Sequence, residues 1–239
     1  LPNYKLACVC ARKRLPPPSP EMVAALLQTE KKFTNSADIG QVAALYAAFF
    51  AKVTSVRSLD FRELGWEEAE AVALAAVLPR FGAITSLDVS GNRLGPNAAK
   101  ALAPAIIGSS LTSVSFARNN LGPEGAKALA PALAIPSLTV LFLSDNDIKD
   151  EGAIAIGHAL RDNADCKVQT LELAICGIGA GGAKALTALC AVSPSLTSVR
   201  ASPELQPTGP ALTHFFGAHR LMSARIGSTK QPRLSSSLR

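Results

Sequence analysis

Histidine is scarce in this chain, with three in 239 residues, and the five cysteines include no C-x-x-C pair. That removes the common zinc patterns, which need clustered Cys and His ligands at short spacings. The sequence also lacks G-x-S-x-G, H-E-x-x-H and the phosphate loop G-x-x-x-x-G-K-[ST], and no Ser-His-Asp or Cys-His set can be argued from the positions of His158, His214 and His219. Long apolar runs are missing as well. The longest, around Ala43 to Ala51, falls well short of the ~18 residues a membrane helix requires. An odd number of cysteines (Cys8, Cys10, Cys166, Cys176, Cys190) fits a reducing, intracellular compartment, the cytoplasm first, better than a disulfide framework. A chain that opens on Leu1 in place of Met reads as a fragment or processed product, which leaves organelle targeting open. These gaps leave a non-catalytic protein with no cofactor and no metal as the expectation.

What is present is a phrase of eleven residues written over and over. It runs Ile84, Leu87, Val89, Asn92, Leu94; then Leu111, Val114, Phe116, Asn119, Leu121; then Leu138, Leu141, Leu143, Asn146, Ile148, always in the frame L-x-x-L-x-L-x-x-N-x-L. Val56 to Trp66 repeats it with Leu64 in the Asn slot. Val168 to Ile178 repeats it with Cys176 there, and Leu196 to Glu204 is a degenerate copy. Starts at 56, 84, 111, 138, 168 and 196 give periods of 27 to 30 residues, the longest step spanning the polar loop from Arg161 to Lys167. The phrases at 84, 111 and 138 each lead into a helical one beginning at Gly95, Gly122 and Lys149, so the unit is strand, turn, helix.

These motifs resemble the leucine-rich repeats of the ribonuclease-inhibitor-like class, as in NOD-like receptors and Ran GTPase-activating proteins. The fold expected is an α/β leucine-rich repeat solenoid. Its parallel strands lie about 4.8 Å apart on the concave face and its helices, about 10 Å wide, on the convex face. The chain divides into a basic, Pro-rich flank (1–34), a helical cap (35–57), about five repeats (58–198), a degenerate C-terminal repeat or cap (199–224) and a basic Ser/Arg tail (225–239).

Within each copy the frame's apolar residues point inward and their neighbours outward. The Asn slot falls where the chain turns past the strand, and an amide there can serve orphaned backbone donors and acceptors together. Gly125, Gly152 and Gly182 recur at what reads as the tight corner into the helix. Pro104 and Pro131 fall inside helical phrases, so the helices either end near Ala103 and Ala130 or kink. Asp145, Asp147, Asp150 and Glu151 crowd one turn; a Ca²⁺ site is weighed against a solvated turn, and the latter is preferred.

The net charge of +6 resides in the flanks. Residues 1–34 carry six Lys/Arg against two Asp/Glu, 35–198 carry twelve against fifteen, and 199–239 carry six against one. The solenoid is therefore mildly acidic, which argues against nucleic acid, and the column Lys100, Lys127, Lys184 reads as a solvated stripe. Membrane-surface contact through Arg12, Lys13, Arg14 and the tail is weighed against simple solubilising ends, which are preferred. An unidentified protein partner on the strand face and adjacent loop edge is the function expected. The residues expected to meet it are Asp60, Arg62, Asp88, Ser90, Arg93, Ser115, Arg118, Phe142, Ser144, Glu172 and Arg200, with Phe142 as the exposed aromatic among them. The alternative implied by the resemblance is GTPase activation of the Ran type, using Arg93, Arg118 and Asn120, although the acidic tail common in that group is replaced here by a basic one.

Overall fold

A computed structural model describes residues 15–29, 36–192 and 195–201, all within the unit Leu1–Leu205. The expectations for residues 1–14 and for 202–239, including a closing helix over Leu212 to Met222 and a tail, lie outside the described residues. Two helices come first, α1 (Pro20–Thr29) and α2 (Ser36–Val53). Strands and helices then alternate: β1 (Ser58–Asp60), α3 (Glu68–Val77), β2 (Ser86–Asp88), α4 (Gly95–Ile107), β3 (Ser113–Ser115), α5 (Gly122–Leu133), β4 (Val140–Phe142), α6 (Lys149–Arg161), β5 (Thr170–Leu173), α7 (Ala180–Val192), β6 (Ser198–Ala201). All six strands pair in parallel in sequence order, forming one open sheet. Leu59, Leu87, Val114, Leu141, Leu171 and Val199 align in register as its buried central column.

The core is the stack of inward frame positions. Ile84, Leu111 and Leu138 open their phrases fully buried, and Val89, Phe116, Leu143 and Leu173 follow with no exposure. Trp66 is likewise fully buried in the first copy, stacked on Phe61 with ring centroids 4.5 Å apart.

Helices α4 and α5 continue past Pro104 and Pro131, so the expected alternative of termination near Ala103 and Ala130 does not hold. Each proline sits on the exposed side of its helix, where the carbonyl left without its i+4 donor can be solvated. The recurring Gly125, Gly152 and Gly182 also receive a corrected role. They lie in the first turns of α5, α6 and α7, where a Cβ on Gly152 would sit 2.7 Å from Ala126 Cβ of α5 and one on Gly182 3.0 Å from Ala153 Cβ of α6. Close approach of one helix to its neighbour, and not an unusual backbone angle, requires them. Positive φ falls instead on Gly91, Gly95, Gly122 and Gly177 in the turns.

A column that sequence reading missed runs just before four of the six strands. Thr85, Thr112, Thr139 and Thr197 each use both the backbone N–H and the side-chain hydroxyl to donate to the carbonyl of the corresponding residue one repeat earlier, with hydroxyl distances of 2.9 to 3.1 Å. A threonine in four of the six copies, with Arg57 and Gln169 in the other two, is the only signal, and it acquires meaning once neighbouring repeats are stacked.

Candidate functional site

Because side chains alternate along a strand, burying the frame positions turns the intervening positions to the other face of the sheet. Among the described residues none of these is buried: Ser58, Asp60, Arg62 and Arg200 are exposed, and Ser86 through Ser198 on the strands between are half-buried. The middle row in register reads Asp60, Asp88, Ser115, Phe142, Glu172, Arg200. Phe142 is half-buried, not fully exposed as the sequence suggested, because strands on both sides shelter its ring. On one side it meets only the small Ser115, and Val140 in the row beside it lies next to Ser113. The centre of the face is thus an apolar shelf bordered by serines on one side and by Thr170 and Glu172 on the other.

Charge sits at the two ends. The Arg62 guanidinium donates to both oxygens of Asp60, at 2.9 and 2.8 Å, and its Nε lies 3.5 Å from Asp88. Hydrogen bonding to Asp60, with the added field of Asp88, holds the Arg62 charge still more firmly than usual. Asp88 also accepts from the Ser90 N–H at 2.9 Å and the Ser90 hydroxyl at 2.6 Å. At the far end Arg200 reaches Glu172 at 3.3 Å. Such exposed pairs contribute little to stability. Their effect is to fix where charge is presented.

Past the strands, the turn residues form a loop edge. Arg118 and Asn120 adopt positive φ there, and Arg118 is exposed beside Asp145 at 3.7 Å. The exposed Arg93 is placed on the same edge, its N–H donating to the Trp66 carbonyl at 2.7 Å. Ile175, which sequence reading passed over, is 68% exposed with φ of +55°, an uncommon angle for a β-branched residue. The sheet therefore brings Asp60, Arg62, Asp88, Ser90, Ser115, Phe142, Ser144, Glu172 and Arg200 onto one face, with Arg93 and Arg118 at its margin.

The asparagine slots carry this edge. Asn92 Oδ1 accepts from the Leu64 and Trp66 N–H groups, both at 3.0 Å, while its Nδ2 donates to the Phe61 and Val89 carbonyls. Asn146 does the same for Asn119 and Leu121, at 2.9 and 3.3 Å. Asn119 donates through Nδ2 to Val89 and Phe116, but its buried Oδ1 has no partner. Cys176 donates Sγ to the Leu143 carbonyl at 3.2 Å, and burial pushes its thiol up to about 11 against the pull of the backbone at Asn146 and Asp145.

Of the crowded acids, Asp150 does not face the others. Its carboxylate accepts from the N–H groups of Gly179 and Gly181 at the start of α7, at 2.5 and 3.2 Å. Asp147 lies 3.6 Å from Lys149. Among the described residues no group of three or more His, Cys, Asp or Glu is placed to hold a metal ion, and no helix is long and apolar enough to cross a membrane.

Four stretches, 84–103, 109–130, 134–157 and 164–186, match the family model described as Leucine Rich repeat. They coincide with the second to fifth strand-helix units. No curated protein matches the chain.

Proposed function

Since this chain carries leucine-rich repeats, a class that generally mediates protein–protein interaction, we propose that it is a non-catalytic interaction module. In this reading it takes a protein partner on the strand face and adjacent loop edge. The single observation that supports this reading most is the uncovered row Asp60, Asp88, Ser115, Phe142, Glu172, Arg200, in which a half-buried aromatic sits among small residues with fixed charges on either side. Aromatic and Arg side chains in such settings concentrate binding energy, while small neighbours let a partner approach closely. The outward strand positions approach the 20–30 residues per side of a standard interface. Helices of 12 or 13 residues in α4 to α7 favour the long-repeat, ribonuclease-inhibitor-like class within the family.

The test is a partner screen with the full chain, followed by affinity measurements on Phe142→Ala and Asp88→Ala. Each substitution is expected to weaken binding by at least about 1 kcal/mol, more than fivefold, without loss of fold. A partner that binds both variants as tightly as the parent would remove the strand face from the reading. Accelerated GTP hydrolysis by a Ran-type GTPase in the presence of the chain would replace the reading with the catalytic alternative.

A further inference from the structure

The proline-rich stretch leading into α1 is not accounted for by the repeats. Pro16, Pro17, Pro18 and Pro20 have φ fixed by their rings, and Leu15, Pro16, Pro17 and Ser19 each precede a proline, which keeps them extended. Residues 15–19 accordingly form neither helix nor strand. Their restricted angles are those of polyproline II, with about three residues per turn and no internal hydrogen bonds. Burial follows that period. Leu15 and Pro18, one turn apart, are exposed, whereas Pro16 and Pro17 between them are buried and Ser19 and Pro20 half-buried. The segment thus turns one of its three edges to solvent and seats the other two against the protein.

The group that meets it is aromatic. From α2 the Tyr46 hydroxyl donates to the Pro18 carbonyl at 2.8 Å, and a polyproline II backbone leaves its carbonyls available to such an outside donor. Phe49 and Phe50 follow three and four residues later on the same side of the helix, their ring centroids 5.9 and 6.3 Å from that of Tyr46. Phe50 is buried, and Phe49 remains 42% exposed. Three rings on one side of a helix, with a hydroxyl directed at a proline carbonyl, match the chemistry by which aromatic-lined surfaces take proline-rich segments.

The helix that follows adds little to this hold. Helix α1 buries none of its residues, and Val23, Ala24 and Leu27 are its only half-buried apolar side chains. Its Glu21 meets Arg80 at 3.1 Å in a pair exposed on both sides, which contributes little. Covalent attachment does favour the segment over an outside competitor, since it holds the prolines at an effective concentration on the order of mM. We propose that the Tyr46 side of α2 is a binding site for extended proline-rich segments, filled here by the chain's own Leu15–Ser19, and that a partner's proline-rich segment enters by displacing them. The site does not involve the strand-face row.

The experiment is titration of a free peptide copying residues 15–22 into the full chain and into full-length Pro16→Ser/Pro17→Ser, read by calorimetry. The double variant, whose own segment holds the site less well, is expected to bind the peptide at least about tenfold more tightly than the parent. A control peptide with every proline replaced by alanine is expected to bind neither. Adding Tyr46→Phe to the double variant keeps the ring and removes the donor, and is expected to weaken peptide binding about fivefold. A second readout needs no substitution. With the isotope-labelled parent chain and unlabelled peptide at a concentration on the order of 10 mM, nuclear Overhauser contacts are expected between the peptide's prolines and the Tyr46 ring. Equal affinity of parent and double variant, binding of the alanine peptide, an unaffected Tyr46→Phe or absent contacts at Tyr46 each overturns the proposal.

Discussion

The asparagine slots are the residues on which the turns depend, and they are not equivalent. Asn146 serves two backbone donors and two carbonyls of buried chain, whereas Asn119 serves carbonyls only and leaves its own Oδ1 without a partner. Orphaning buried polar groups costs about 1–3 kcal/mol each. Asn146→Ala is therefore expected to destabilise the protein by about 2–4 kcal/mol, and Asn119→Ala by at least about 1 kcal/mol less. Urea unfolding of the two variants checks the order, and equal losses would contradict the unequal bonding. Cys176 shows why the frame tolerates cysteine here: a thiol still donates to Leu143, and its raised pKa keeps it protonated in that buried position.

At the scale of the element, contact between neighbouring helices decides which small residues matter. Gly152 stands 2.7 Å from Ala126 Cβ and 3.0 Å from Ile148 Cβ by the position its own Cβ would take, while Gly40 in α2 has open space around it. Gly152→Ala is expected to cost about 1–3 kcal/mol through overpacking. Gly40→Ala is expected to gain about 0.5–1 kcal/mol from helix propensity and a less mobile unfolded chain. Thermal melts of both distinguish packing from propensity, since propensity alone predicts a gain in each. A helix end is held across repeats in the same way. Asp150 belongs to α6 but caps the start of α7, where a carboxylate is favoured by the aligned peptide dipoles. Asp150→Ala should cost about 1 kcal/mol, as other lost caps do, and hydrogen exchange should place the loss at α7; a loss confined to α6 would show the cap to be inert.

Across the repeats as a whole, each unit touches chiefly its sequence neighbours: β2 pairs with β1 and β3, and the buried Phe116 belongs to a core continued by Val89 before it and Leu143 after it. Stability is then close to a sum of repeat and interface contributions. Phe116→Ala is expected to remove about 3–5 kcal/mol. Amide protection should fall in the repeats on both sides of the substitution, with the more distant α7 least affected. Loss of protection confined to the substituted repeat would mean that the interfaces contribute little.

The sequence by itself determined the repeat, the parallel strands and the inward columns, because each copy restates the same local pattern and a residue's place in its copy decides which way it faces. The outward row that forms the candidate site follows from the same alternation, so its members were legible. Which of them cooperate was not: Arg62 between Asp60 and Asp88, Phe142 sheltered beside Ser115, and Ile175 exposed on the loop edge depend on the neighbouring repeat. The threonine hydroxyls, the reason for Gly152 and the cap supplied by Asp150 belong to the tertiary structure for the same cause. Each is a contact between groups 26 to 31 residues apart in the chain, made only once successive repeats stack. On α1 and α2 packing decided that Met22, Leu26, Leu45 and Phe49 stay exposed while Phe50 and Val53 are buried.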